Sequence, residues 1–492
     1  VDDDAAVEHL DVLVVGAGLS GVGAACQLVR RRPGTTFAVL EARGATGGTW
    51  DLFRYPGVRS DSDMYTLGYS FRPWRGGKAI ADGESIRQYV QDTAREFGVD
   101  ERIRFHHRVV SAEFSSATAR WTVVVERPAA DGGTRTATFT CGFLLSCTGY
   151  YRYDRGYTPE FAGVEEFTAA GGRVVHPQHW PADLDVTGKR VVVVGSGATA
   201  VTLVPNLARD AAHVTMLQRS PSWVLGLSSR DHLADRLRGK VPEKIAYPLV
   251  RAKHVALATA TYQFSRRRPQ AARAWLREKV AEKLPADFDV DRHFTPRYDP
   301  WDQRVCFVPD GDLFRALRSG TASVVTDGID SFSATGIRLT SGETLEADVV
   351  VTATGLDLLF LGGMDLAVDG QRFDPAQAVV YRGMMLSGAP NFAFALGYTN
   401  ASWTLKVDLV TAHVCRLLDL MDRRGHRVVR PGTPTDAGRR PLIDLNSGYV
   451  RRAAGRLPQQ GVSSPWRLRQ NYPADRWTLK HRRVDDRALE FS

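Results

Sequence analysis

Two clusters of glycines, an acid, two arginines and one aromatic-rich turn carry the chemistry that this sequence offers. Gly16-Ala-Gly18-Leu-Ser-Gly21 follows the apolar run DVLVV and opens an alanine-rich segment. In that order Gly16 permits a tight turn, Gly18 lets a pyrophosphate approach the backbone, and Gly21 lets strand and helix pack closely, with the helix N-terminus facing the phosphates. Glu41 ends the next apolar run, FAVLE, twenty residues past Gly21, where a carboxylate accepts hydrogen bonds from a ribose diol. The pattern returns after RVVVV with Gly195, Gly197 and Ala200, so the chain carries two dinucleotide fingerprints. Beyond the second, no acid stands where Glu41 stands beyond the first; Arg219 does. A carboxylate there would repel a 2'-phosphate, whereas a guanidinium grips it in fork geometry, so the second site favours NADPH over NADH. The first, with its ribose acid, is the site expected for FAD.

A flavin paired with NADPH leaves several reactions open. A dithiol relay needs two neighbouring cysteines. The five here (Cys26, Cys141, Cys147, Cys306, Cys415) are scattered, form no C-x-x-C pair and match neither a disulfide framework nor a zinc site, so no metal is expected. Oxygen chemistry is the main remaining route. In the place where a relay dithiol would follow the first nucleotide unit, the chain instead has GGTWDLFRYPGVRSD, residues 47–61.

That stretch resembles the flavin-lining segment of the Baeyer-Villiger monooxygenases, class B flavoproteins whose signature reads roughly [AG]-G-x-W-x-x-x-x-[FY]-P-[GM]-x-x-x-D. Gly47, Gly48, Trp50, Tyr55, Pro56, Gly57 and Asp61 meet every fixed position. A second signature of the family, F-x-G-x-x-x-H-x-x-x-W-[PD], is matched at Gly172, His176, Trp180 and Pro181, but Ala170 stands where an aromatic is expected. The segments YDPWDQRVCFVPDGDLFRAL, GYTNASWTLK and SSPWRLRQNY are similar to the ethionamide-activating branch.

The resemblance implies an FAD-containing, NADPH- and O2-dependent enzyme that converts ketones to esters or lactones through a C4a-peroxyflavin, with sulfoxidation as a companion activity. It places Arg304 at the family's catalytic arginine and Asp61 as the carboxylate that orients it by a direct ion pair. An arginine suits the task, because it stabilises an oxygen anion without handing over a proton. The resemblance also puts Gly48, Thr49 and Trp50 in the flavin wall, gives His176 and Trp180 a role in coupling the domains, and sets Asn400, Trp403 and Lys406 as further candidates for the pocket lining. Two alternatives stand beside this reading: a flavin monooxygenase acting on nitrogen or sulfur, where the oxygen donor must be protonated, and a degenerate nucleotide-binding flavoprotein working at a membrane surface.

These residues need a scaffold that brings distant segments together. The expected fold is α/β, with two Rossmann-like dinucleotide-binding domains: FAD on residues 1–148 and 378–492, NADPH on 149–218 and 302–377, and a helical insertion over 219–301 in the NADPH domain. CGFLLSCTGYY and ADVVVTATGLD, each closing on Thr-Gly, read as the crossings between them. A length of 492 residues, 43% hydrophobic and 24% charged, suits such a multidomain globular protein. No apolar run approaches a membrane span, and the acidic start VDDDAAVEHLD lacks the form of a signal peptide, so a cytoplasmic protein is expected. The net charge of +9 is concentrated: residues 423–492 hold sixteen Lys/Arg against six Asp/Glu, and the remainder is about neutral. The expected partners are a small ketone or sulfide and O2 rather than nucleic acid, with this basic region available for peripheral contact with a membrane.

Overall fold

The computed structural model describes residues 7–129, 131–434 and 438–492. The acidic residues 1–6 lie outside the described residues. Two open sheets organise the chain. The larger has nine strands, in the order Gln371–Phe373, Asp365–Val368, Arg108–Ser115, Arg120–Pro128, Thr134–Ser146, Glu8–Val15, Phe37–Leu40 and Ile103–Arg104, with Phe392–Phe394 also pairing Thr134–Ser146. Its nucleotide half is parallel and buried on both faces, which is why Phe37–Leu40 is apolar at every position.

Thr134–Ser146 serves two purposes along its thirteen residues. It pairs antiparallel with Arg120–Pro128 and, further along, parallel with Glu8–Val15, ending with Val15 opposite Ser146. This register brings the Gly16 turn beside Cys147, Thr148 and Gly149 at the carboxyl ends of the strands, where ligands bind in open α/β sheets. The second sheet is wholly parallel, in the order Ala322–Thr326, His213–Gln218, Arg190–Val194, Val349–Thr352 and Arg173–Val175. The valines of Arg190–Val194 are all buried, and the strand end at Thr352 leads to Thr354 and Gly355 just as Ser146 leads to Thr148 and Gly149.

The helices of the 219–301 stretch are His232–Leu237, Glu243–Arg267, Pro269–Ala281 and Val290–Phe294, and the first and last of these are capped by Asp231 and Asp289. The stretch is not purely helical, because Val224–Leu227 pairs in parallel with Cys306–Pro309. Glu243–Arg267 crosses to the first unit, where buried Arg251 donates to the carbonyl oxygens of Tyr65 (2.6 Å) and Gly68 (2.8 Å). A second difference from expectation concerns 302–377. Asp365–Val368 and Gln371–Phe373 hydrogen-bond into the first sheet, so the stretch returns to the first unit before residue 377. Short strands of alternating character give no local sign of which sheet they will join.

Candidate active site

The two glycine turns are built alike. Gly16 (φ +100°) and Gly195 (φ +138°) have backbone angles that L side chains avoid, and a Cβ on either would sit 2.7 Å from the Cys147 oxygen or 2.4 Å from the Ala353 oxygen. Each turn therefore lies flush against the crossing segment of its own sheet. Gly18 and Gly197 precede the helices Leu19–Arg31 and Ala198–Leu207, and neither helix start has a side-chain cap. Their first N–H groups stay available to an anion, and around Gly197 a Cβ would meet nothing within 4 Å. Gly21 packs so closely that a Cβ would fall 1.7 Å from the Gly16 oxygen.

Glu41 is buried. Its Oε2 accepts from the Ala17 N–H (2.7 Å) and its Oε1 from the Arg43 N–H (2.9 Å). Burial pushes its carboxyl upward against the pull of these two N–H groups, and each oxygen keeps a lone pair for a ribose hydroxyl. Arg219 stands at the far fingerprint, exposed and without an ion-pair or hydrogen-bond partner among the described residues. Its neighbourhood is tied to the glycine turn, since Gly195 N–H donates to Leu217 O (2.8 Å) and Ser196 Oγ to Ser220 O (3.0 Å).

Both fingerprints open into one cavity of about 1700 Å³. That exceeds the ~300–1,000 Å³ of a pocket for one small ligand and matches a site for two nucleotides and a substrate. The bare glycine cradles, the uncapped helix starts, the ribose acid and the free Arg219 together fit FAD at the first turn and NADPH at the second.

Residues 47–61 lie between the two. Gly48 (φ +57°) approaches Gly18 so closely that a Cβ would be 2.9 Å from its Cα, and Thr49 Oγ1 hydrogen-bonds Tyr153 OH (3.2 Å). Trp50 lines the cavity, and Tyr55 packs into the core of the second unit. Gly57 (φ +77°) meets Asn206 on the second fingerprint helix, and Arg59 pairs with Asp312. The stretch is thus a seam between the nucleotide units.

Asp61 and Arg304 both face the cavity from deep within the protein. Among the described residues, no ion pair within 4.0 Å joins them, so the direct pair expected from the sequence is not formed. They are coupled through space. Burial raises the Asp61 carboxyl above its ordinary value, while the Arg304 and Arg59 cations pull it down. Burial works against the Arg304 charge; Tyr150, Tyr449, Tyr151 and Asp61 favour it, and the balance lies above the ordinary arginine value. The Arg304 guanidinium has no hydrogen-bond partner among the described residues, and its Nε is buried.

The tyrosines around Arg304 escaped the sequence reading. Tyr150 and Tyr151 follow the first Thr-Gly crossing, and their hydroxyls lie 3.2 Å apart. That position next to Gly149 was the available signal; Tyr449, in Gly448–Ala453, had none. Asn400 and Trp403 line the cavity, Asn400 donating to Gln470 O (2.9 Å) and Trp403 to Ser20 Oγ (2.7 Å). Lys406 is a correction. It is buried away from the cavity, paired with Asp475 (2.7 Å), because the helix Trp403–Arg424 turns that face toward Tyr472–His481.

His176 and Trp180 also stand apart from the cavity. His176 Nε2–H donates to Gly355 O (3.1 Å), and its Nδ1 accepts from Gln178 N–H (3.1 Å). Those two bonds require the neutral Nε2–H form, and burial lowers the ring's pKa accordingly. The ring fills the space over Gly156 and reaches the second crossing. Trp180 packs against the apolar core of the second unit. In the basic C-terminal region, Arg424, Arg430, Arg456 and Arg483 are engaged with Asp485, Glu490, Asp357 and Asp485.

Comparison with known proteins agrees with this geometry. Residues 14–78 match the model of the NAD(P)-binding Rossmann-like domain, and residues 79–236 that of the flavin-binding monooxygenase-like family. The chain is 53% identical to the FAD-containing monooxygenase EthA of Mycobacterium tuberculosis, over 99% of this chain and 98% of that one. It is 50% identical to EthA of Mycolicibacterium smegmatis, over 99% and 97%. The solved structure of oxidised steroid monooxygenase bound to NADP shares the fold with a TM-score of 0.75 at 24% identity, covering 98% of this chain and 99% of that one.

Proposed function

Because the chain belongs to the FAD-containing monooxygenases, we propose that it inserts one oxygen atom of O2 beside the carbonyl of a ketone, giving an ester or lactone. The observation that carries this reading is the half-buried guanidinium of Arg304, without a hydrogen-bond partner among the described residues and held in the cavity wall between the two fingerprints. When bound, NADPH supplies two electrons and FAD passes them to O2. FAD would be held by Gly16, Gly18, Gly21 and Glu41 with Gly48, Thr49 and Trp50 along one wall, and NADPH by Gly195, Gly197, Ala200 and Arg219.

The chain's own residues select what becomes of the activated oxygen. Oxygen attack on a ketone requires an anionic nucleophile and then leaves negative charge on the former carbonyl oxygen. Arg304 stabilises both charges and, as an arginine, does not release its proton at working pH. Asp61 supports the cation from a distance. Since no direct ion pair among the described residues covers the guanidinium, its N–H groups remain free for the reacting oxygens. Nucleotides filling the cavity would keep water from this wall, which would strengthen each of these interactions. His176 and Trp180, outside the cavity, act on the reaction only through the packing of the crossing segments.

The test is product analysis. FAD-loaded protein is supplied with NADPH and 18O2 over a panel of linear, cyclic and aromatic ketones and one thioether. The expected product is an ester carrying one labelled oxygen, with NADPH consumption matched to ester. NADPH consumption that yields only hydrogen peroxide with every ketone would overturn the proposal. Sulfoxide without any ester would move the reading to sulfur oxygenation.

A further inference from the structure

The helix Glu243–Arg267 is apolar on both sides. Its inner face holds buried Tyr247 and Val250, while Val255, Ala258 and Thr261 wall the cavity. Its outer face is in water: Ile245 is 56% exposed, Leu249 52% and Phe264 39%, while Leu257, 58% exposed, borders the cavity. Exposed Ala252, Ala256 and Ala260 fill the gaps, so residues 245, 249, 252, 256, 260 and 264 form one stripe at helical spacing. Over 25 residues the helix runs about 37 Å. An exposed apolar stripe of this length on a surface helix marks an interaction surface.

Charge identifies what covers it. Glu243 is the helix's only acid, and Arg75 neutralises it. Lys240 and Lys244 at one end, and Arg267 and Arg268 at the other, are exposed and have no ion-pair partner among the described residues. Apolar side chains between cationic ends match an interface whose interior is hydrocarbon and whose rim is anionic. A protein surface of matching length would have to bring its own acids to both ends, whereas a bilayer with anionic headgroups presents them everywhere. No helix among the described residues is long and apolar enough to cross a membrane, so the contact is one that lies on the surface.

We propose that Glu243–Arg267 docks flat on an anionic lipid surface and thereby sets the cavity beside the bilayer, within reach of apolar substrates dissolved there. The surface differs from the basic region 423–492, and the docking does not depend on which substrate is oxidised.

The experiment is co-sedimentation of the FAD-loaded full chain with phosphatidylcholine vesicles, with and without phosphatidylglycerol, at low and high salt. The wild type should bind the phosphatidylglycerol vesicles, weakly at high salt. Ile245→Glu/Leu249→Glu, at two exposed positions outside the cavity, should lower the partition coefficient about tenfold or more while leaving turnover of a water-soluble substrate unchanged. Lys244→Gln/Arg267→Gln should remove mainly the part that depends on phosphatidylglycerol. Arg467→Gln/Arg469→Gln, in the C-terminal region, should leave binding within about twofold. The proposal fails if the wild type ignores both vesicles, or if the C-terminal pair rather than the helix pair abolishes binding. It also fails if sedimentation velocity shows that the helix stripe pairs two copies of the chain and vesicles do not compete.

Discussion

Replacing Arg219 by alanine should separate the two nicotinamide cofactors. The side chain is exposed at the carboxyl end of the second sheet, next to the Gly195 turn, with no competing partner among the described residues. Its whole charge is therefore available to a 2'-phosphate, which carries between one and two negative charges near neutral pH. A unit pair about 4 Å apart is worth ~1 kcal/mol in water and ~4 kcal/mol at an effective dielectric constant of ~20. For an exposed arginine the lower end applies, so the full interaction comes to about 2 kcal/mol, or roughly a thirtyfold change in affinity. Anaerobic flavin reduction, followed by rapid mixing over a range of NADPH and NADH concentrations, measures this directly. The apparent Kd for NADPH should rise about thirtyfold and that for NADH by less than about twofold, with the limiting reduction rate little changed. The gap between wild type and variant should also narrow as salt rises, because screening acts on exposed charge. Equal losses for both nucleotides, or a gap indifferent to salt, would refute the assignment.

Arg304→Ala should still load FAD and be reduced by NADPH, yet lose ester formation by about 10²–10³-fold, with the electrons leaving as hydrogen peroxide; ester formation near the wild-type rate would remove Arg304 from the chemistry. Asp61→Asn tests the buried carboxyl. Because burial raises the folded pKa of Asp61 against the Arg304 and Arg59 cations, ionising it costs the native state stability once pH passes the ordinary ~3.9, with the full cost reached above the folded value and none below both. The asparagine variant of the cofactor-free protein should melt higher than wild type at neutral pH, with the difference vanishing in acid, whereas a lower melting temperature at neutral pH would show that Asp61 is stabilising as an anion. Gly57→Ala adds a Cβ 2.0 Å from Asn206 Nδ2 at φ +77°, and should cost ~1–3 kcal/mol in denaturant unfolding. Adding Asn206→Ala should restore the steric part and leave the ~1–2 kcal/mol of backbone strain; no recovery would mean that the seam contact is not where the cost arises.

How far each feature could be read in advance follows from how local its cause is. The glycine turns needed only neighbouring residues, since a strand, a φ-positive glycine and a helix start are consecutive in the chain. Glu41 was legible for the same reason, one strand further on. The pairing of Asp61 with Arg304 was drawn from a resemblance and is not realised as a direct contact. Tyr449 comes to Arg304 from a segment 145 residues later, and no spacing rule reaches that far. Lys406 sits three residues after cavity-lining Trp403, but the buried Asp475 that holds it belongs to another helix.

What the sequence by itself determined was the pair of nucleotide turns, the parallel strands behind them, the acid expected at a ribose, the candidate phosphate arginine and the fifteen-residue signature stretch. These rest on turn geometry, burial periodicity and side-chain charge, which act between residues a few positions apart. Only the tertiary structure decided that both turns open into one cavity, that Asp365–Val368 joins the first sheet, that Arg304 stands near Tyr150, Tyr151 and Tyr449 with no direct ion pair to Asp61 among the described residues, and that Glu243–Arg267 leaves an apolar stripe in water. Each of those depends on which distant segments share a surface, and a helix with apolar residues on opposite faces cannot say which face the rest of the chain will cover.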